Sequence, residues 1–354
     1  MELNESLDLA LVNLTSIPVL AFALGVLAVT LLRTDLRLPE SVYKGLSAYL
    51  LLAIGLKGGV ALNESGLGSM ALPAVAAVAL GIVIPLAAFH ALGFMTRLGV
   101  LDRGAMAAHY GSTSLVTFTA ALALIETLGL PLDGRVATLV VIMEIPGIVV
   151  GLALARRARS NSRLLVPVGA SSSSPTPVDA ASEQAPHGEA HGLGAALREA
   201  VTGPSVLLMA GGMAIGFMAG PAGYAPVSPI FTGAFTGVLA LFLLHMGAVA
   251  GSRLSSLTTA GPGLIAFAML FPLVAGSAGV LVGAAIGMPA GGAAVLGVLC
   301  ASASYIAAPA AVGLALPRAN QGLCLTSSLG LTFPFNLVIG IPVLITLAMA
   351  VTPS

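Results

Sequence analysis

Apolar stretches close to the length of a bilayer crossing recur from one end of this chain to the other, and they restrict its fold more than any other feature. A helix needs roughly 20 predominantly apolar residues to cross the hydrocarbon layer. Such stretches are read at 17–33, 42–61, 72–95, 104–127, 134–155, 203–220, 229–251, 260–286, 291–316 and 321–350. Only 8% of the residues are charged, about a third of the share in an ordinary soluble domain. With 57% of the residues hydrophobic, no globular core could hide the apolar surface. The expected class is an all-α integral membrane protein of about ten transmembrane helices, many interrupted by Gly or Pro as transporters tolerate.

Charge narrows the possibilities further. The formal net charge is zero, which proposes no nucleic-acid partner, and the natural partner of such a surface is membrane lipid. Cys300 and Cys324 sit inside apolar stretches without metal-ligand spacing, so both read as packing residues and no resident metal or organic cofactor is expected. The first residues carry Glu2, Glu5 and Asp8 with no Lys or Arg, the opposite of a signal-peptide start, so this segment is expected to be retained. With ten spans and loops assigned alternately, Lys57 and Arg135 fall on one side and every other Lys and Arg on the other. The positive-inside rule then puts both termini outside and the central loop in the cytoplasm of a bacterial inner membrane.

The expected organisation is two five-helix halves, 1–155 and 201–354, joined by a flexible cytoplasmic linker at 156–200. The linker has a basic start, then SSSSPTP and EQAPHGEAHG, which cannot bury enough apolar surface to fold. His187, Glu189 and His191 within it could bind a metal, but in such a segment they read as part of a solvated tether. The halves echo each other 186–190 residues apart: Pro18 with Pro204, Gly59 with Gly247, Pro85 with Pro272, Ser114 with Ser304, Glu144 with Thr332 and Pro146 with Pro334. Five spans is an odd number, so the second half must enter from the opposite face. That is the inverted repeat of secondary transporters, whose sites lie near the midplane where the repeats meet. Gly212, Gly216 and Gly220, and again Gly279, Gly283, Gly287 and Gly291, form ridges of small residues that let helix backbones approach closely.

The residues most suited to chemistry lie in two matched polar breaks, HYGSTSLVTF from His109 and CASASYIAAP from Cys300. Gly111, Ser112, Thr113 and Ser114 give the first break flexibility and N-cap hydroxyls; Ser302, Ala303 and Ser304 precede Pro309, expected at the first position of a new half-helix. Two half-helix N-termini aimed at one point, each carrying about half a positive charge, would together offset one negative charge. With no Arg mid-membrane, this favours a small monovalent anion over a polycarboxylate. Glu144 is the carboxylate set deepest in a span, where a charge costs on the order of 3 kcal/mol. A cation, a proton or an ion pair with Lys57 could repay that cost, or the group could be a protonated hydrogen-bond donor; Pro146 frees a carbonyl nearby. Lys57 could equally snorkel to the headgroups. His90 and His245 read as packing residues, and His109 as a residue near the cytoplasmic entrance.

At these positions the chain resembles the sodium-dependent bicarbonate symporters first recognised in cyanobacteria. The resemblance rests on IGLKGG from Ile54, the GST of Gly111 to Thr113, the M-acid-I-P of Met143 to Pro146 and the S-x-S-x-I of Ser302 to Ile306, in that order. It implies a ten-helix inverted repeat with core and gate domains and two discontinuous helices, a homotrimer, sodium-coupled bicarbonate uptake, and inhibition by a PII-like protein at the cytoplasmic face. Carried over by motif, the substrate site would be Gly111, Ser112, Thr113, Ser114, Ser302, Ala303 and Ser304. Cation binding or coupling would fall to Glu144, Tyr305 and Thr332. Tyr305 stands where cyanobacterial members carry an Asp, which points to the heterotrophic branch of the family and removes a sodium ligand. The alternatives are a proton-coupled carrier of a small monocarboxylate and a membrane anion sensor that does not translocate. An intramembrane hydrolase using Ser112 or Ser114 with His109 and Glu144 lacks the nucleophile-elbow signature.

The orientation is tested by labelling. Cysteines introduced at Ser6 and Ser354 should react with a membrane-impermeant maleimide on intact cells, and one at Ser173 only after permeabilisation.

Overall fold

The computed structural model describes residues 11–12, 14–66, 70–132, 136–164, 198, 202–254 and 261–352. Glu2, Glu5, Asp8, Arg135, His187, Glu189, His191 and most of the expected linker lie outside the described residues. Helices account for nearly all of the rest, with no strand among the described residues. They are α1 (Ile17–Thr30), α2 (Glu40–Ser65), α3 (Ala71–Met95), α4 (Val100–Gly111), α5 (Leu115–Thr127) and α6 (Val136–Leu164) in the first half. The second half has α7 (Pro204–Tyr224), α8 (Phe235–Arg253), α9 (Gly261–Ala285), α10 (Ala290–Ala301), α11 (Ala307–Ala315) and α12 (Gln321–Val351).

Seven of these helices, α2, α3, α6, α7, α8, α9 and α12, are long and apolar enough to cross a membrane. α1 is shorter, and the stretches expected at 104–127 and 291–316 are each divided into two pieces. α6 runs past residue 155 to Leu164, so the start of the expected linker continues the helix. α12 contains two wide, π-helical stretches, Thr326–Thr332 and Asn336–Gly340.

Many outward faces are as apolar as the interior. Leu20, Leu24, Leu27 and Leu31 along α1, Phe94 at the end of α3 and Met218 on α7 are exposed, while Phe118, Phe242, Phe267 and Leu139 are fully buried. Leucines exposed at helical spacing would be costly in water and cost nothing in lipid. Apolar surface on both sides of the same helices defines a multi-pass membrane protein.

The helices form two packed groups. In one, α1 lies against α8 and α2 against α7 and α8; in the other, α3, α4 and α6 pack together, α9 packs on α10 and α12, and α3 joins α9. Glycine sets the first group's spacing. A Cβ at Gly25 of α1 would lie 2.2 Å from the Leu244 carbonyl oxygen of α8, and one at Gly247 of α8 would lie 2.1 Å from the Phe22 carbonyl oxygen of α1. Between α2 and α7 the same relation holds, Gly59 at 2.0 Å from the Met213 oxygen and Gly216 at 2.2 Å from the Leu56 oxygen. The ridge of Gly212 and Gly216 therefore faces α2 of the same chain, while Gly220, with φ 61°, kinks α7.

The second expected ridge is shorter than its spacing suggested. Gly279 and Gly283 do face α10, against Cys300, Gly297 and Ala293, but α9 ends at Ala285. Gly287, with φ 78°, lies in the turn that follows, and Gly291 sits beside the Pro131 carbonyl.

Backbone contact this close leaves no room for a methyl group. Gly59→Ala should lower the melting temperature of the purified protein in detergent, by the ~1–3 kcal/mol of an overpacked core. Gly45→Ala, on an open face of α2 with nothing within 4 Å of the new Cβ, should leave it unchanged or raise it. A thermal ramp read by size-exclusion chromatography compares the two.

Candidate functional site

The two polar breaks are the places where helices stop inside the fold. α4 ends because Ser112 turns to extended backbone, φ −100° and ψ 151°; α5 restarts after Ser114, whose Oγ accepts the Thr117 amide at 3.3 Å and the Thr117 hydroxyl at 3.0 Å. α10 ends where Ser302 adopts φ −82° and ψ 161°, and α11 starts at Ala307 with Ser304 Oγ accepting the Ala308 amide at 3.2 Å. Serine is chosen by the same physics in both: its hydroxyl replaces the carbonyl that a free helix N-terminus lacks. Pro309 is the third residue of α11, not its first, and is tolerated because first-turn amides need no helical acceptor.

The breaks cross each other. Ser114 donates its amide to Ser302 Oγ at 2.9 Å, and Ser302 in turn donates its hydroxyl to the Leu299 carbonyl at 2.8 Å. Ser304 donates its amide to the His109 carbonyl at 2.8 Å, and the His109 ring returns a bond from Nδ1 to the Ser304 carbonyl at 2.7 Å. His109 is therefore at the crossing, fully buried, and not near an entrance.

A cavity of ≈ 20 Å³ opens beside the crossing, on the order of one or two waters. Thr113, Ser114 and Leu115 line it from the first break, Ser304, Tyr305 and Ile306 from the second, and Val140 and Glu144 from α6. Leu51 of α2 and Met209 of α7 close it from the other helix group. The N-termini of α5 and α11 both border this space, and no Lys or Arg lines it. Glu144 is 6% exposed, and among the described residues no ion pair reaches it. Lys57 pairs with Glu126 of α5 at 3.2 Å, beside the Phe235 ring, which answers the question of an ion pair with Glu144 in the negative. Pro146 has no amide hydrogen, so the Ile142 carbonyl, two residues before Glu144, loses its helical partner.

The structure thus brings Thr113, Ser114, Ser304, Tyr305 and Glu144 into one cavity. Gly111, Ser112, Ser302 and Ala303 lie in the breaks but not on the cavity wall. Gly111 is packed away from it, because a Cβ there would meet the Pro85 ring at 2.7 Å. Thr332 belongs to a separate network. Its hydroxyl donates to the Ala268 carbonyl at 2.8 Å, so Tyr110 must donate to Thr332 Oγ1 at 2.6 Å and accept from Ser327 at 2.8 Å, which leaves no hydroxyl proton unused. His245 packs against Tyr43 and accepts the Leu38 amide at 3.0 Å, while His90 bonds the Leu86 carbonyl one turn back.

Sequence reasoning missed three contributors. Leu51 and Met209 are apolar residues among many, and nothing in their spacing separates them from core. Gly147 could have been found: with Gly151 it makes a small-xxx-small pair directly after Pro146, and its Cβ would lie 1.8 Å from the Gly111 carbonyl, so only glycine lets α6 reach the first break.

A multi-pass helical membrane protein with two crossed half-helix breaks beside a small cavity that holds hydroxyls and one carboxylate among apolar side chains has the architecture of a membrane transporter. The chain belongs to the Na+-dependent bicarbonate transporter superfamily, whose sequence profile matches residues 18–349. Comparison with curated proteins gives no match.

The breaks differ in how their hydroxyls are used, and stability should report it. Ser304→Ala removes the α11 cap and should cost about 1 kcal/mol. The Ser112 hydroxyl is buried with no hydrogen-bond partner, so Ser112→Ala should leave stability unchanged or raise it, measured as the melting temperature in detergent.

Proposed function

We propose that the chain is a secondary active transporter that imports bicarbonate coupled to sodium, through ten spans arranged as a five-plus-five inverted repeat. In this reading α1, α2, α7 and α8 form a gate, and α3–α6 with α9–α12 form the core. The reciprocal glycine seats support the repeat: Gly59 and Gly247, which correspond by sequence offset, each press on a carbonyl of the opposite half. The broken segments α4–α5 and α10–α11 likewise correspond.

The observation that carries the transport reading is the cavity where both half-helix N-termini and Glu144 meet. Two N-termini contribute roughly one positive charge, and an ionised Glu144 contributes one negative charge. The site is then close to neutral when empty. An anion entering alone would face Glu144 across a water-poor space, where like charges repel strongly. Sodium entering with it restores the balance, so cation and anion bind as a pair. Thr113 Oγ1, the carbonyl freed at Ile142 and the Glu144 carboxylate would supply oxygen ligands, while the Ser304 hydroxyl and the positive N-terminal ends of α5 and α11 would hold the anion. The cavity is small for bicarbonate in this conformation, so admission requires Leu51 or Met209 to withdraw.

A second reading has its own observation in favour. Tyr305 lines the cavity where a carboxylate would serve sodium, and Glu144 has no cationic partner among the described residues. Glu144 would then carry a proton, and the carrier would be proton-coupled, with bicarbonate or a small monocarboxylate as substrate. Both readings place the termini outside a bacterial inner membrane. A homotrimer and a PII-like regulator at the cytoplasmic face follow from the family resemblance. A membrane anion sensor is set apart by counterflow of labelled substrate, which only a carrier supports.

Initial uptake of labelled bicarbonate into proteoliposomes, with sodium and pH gradients imposed separately, decides between the two couplings. Uptake should follow the sodium gradient and lose that dependence in Glu144→Gln. Uptake that tracks pH and ignores sodium assigns the proton role instead.

A further inference from the structure

The transport reading uses the cavity wall and leaves a buried titratable group unexplained: His109, the residue before Tyr110. Its ring is fully buried, and Nε2 has no hydrogen-bond partner. Nδ1 lies 2.7 Å from the Ser304 carbonyl oxygen, which can only accept, so Nδ1 must carry a hydrogen; in the neutral ring Nε2 is then a bare lone pair. The ring is thereby fixed in one tautomer.

We propose that His109 is a positioning residue for the solute site, setting the second break from the first. Ser304 is held from both sides of its own backbone by a single residue, its amide by the His109 carbonyl at 2.8 Å and its carbonyl by the His109 ring. Two bonds to one partner fix the peptide planes on either side of Ser304. Those planes direct the Ser304 hydroxyl and the Tyr305 side chain, both of which line the cavity. A backbone break in a membrane interior has no water to satisfy its carbonyls, so a ring N–H supplied from the facing break serves that purpose and aims the site at once. The opposite tautomer sets a lone pair against the Ser304 carbonyl and loses the bond; a second proton on Nε2 would keep the bond but bury a charge with no hydrogen-bond partner at that nitrogen.

This inference rests on the transport reading for its functional readout and has a second readout that does not. Asparagine carries an amide N–H near the place of Nδ1, and leucine carries none. In labelled bicarbonate uptake, His109→Leu should raise KM about tenfold, the worth of roughly one buried hydrogen bond, with a much smaller change in kcat. His109→Asn should restore most of the loss. Equal impairment of the two variants, or wild-type KM in His109→Leu, overturns the proposal. Should His109→Leu fail to fold, 15N NMR of histidine-labelled wild type in detergent decides alone, with the His109 resonances identified by their loss in His109→Asn. A hydrogen on Nδ1 supports the proposal; a bare Nδ1 overturns it. Wild-type protein that takes up no bicarbonate would refute the transport reading and leave the NMR result to judge His109.

Discussion

Backbone amides and carbonyls have no water to turn to inside a bilayer, and a helix that stops there must find each of them a partner. Everything distinctive in this fold follows from two such stops. The chain ends α4 at Gly111 and α10 at Ala301, then spends Ser114 and Ser304 on capping the helices that follow, and crosses the two interruptions so that each supplies what the other lacks. Ser302 Oγ receives the amide of Ser114, and His109 receives and returns the bonds of Ser304. The cavity is what remains beside that exchange.

The fold could be read from the sequence to the extent that it depends on length and composition. Apolar stretches of bilayer length predict helices, and the break positions follow from clusters of Gly, Ser and Thr within them. What could not be read is which residues face which. The Gly279–Gly291 ridge fails after Gly283 because a 3.6-residue pattern continues in sequence past the point where α9 ends. Pro309 was expected at the first position of its helix and sits at the third, since any first-turn position satisfies the same chemistry. The helix at 156–164 lies in a segment whose onward composition argues against folding, and a helix end is decided by local propensity more than by its neighbours' composition.

The site shows the same division. Thr113, Ser114, Ser304, Tyr305 and Glu144 were legible because polar groups inside apolar stretches are costly and so stand out. Thr332 was legible for the same reason and turned out to serve another network, through Tyr110 and Ser327. Sequence marks a residue as expensive without saying what repays the cost. His109 is the sharpest example: the sequence suggests a place near the cytoplasmic entrance, while the ring is fully buried against a partner 195 residues away. Leu51 and Met209 carry no such mark, because the closing wall of a cavity is made of ordinary core side chains.

The glycine seats between α1 and α8 and between α2 and α7 have a mechanical meaning. Where a backbone carbonyl sits in the notch left by a missing side chain, sliding one helix along the other by a single residue would drive a side chain into that carbonyl. Each pair is toothed, and resists shear along its length. Across the boundary between the two helix groups the cavity wall is made of Leu51 and Met209 on one side and Tyr305 and Ile306 on the other, side chains without such notches, and methionine in particular adapts to new neighbours at little cost. A displacement of one group against the other therefore meets a compliant wall at the cavity, while the Lys57–Glu126 ion pair ties the same boundary together further along.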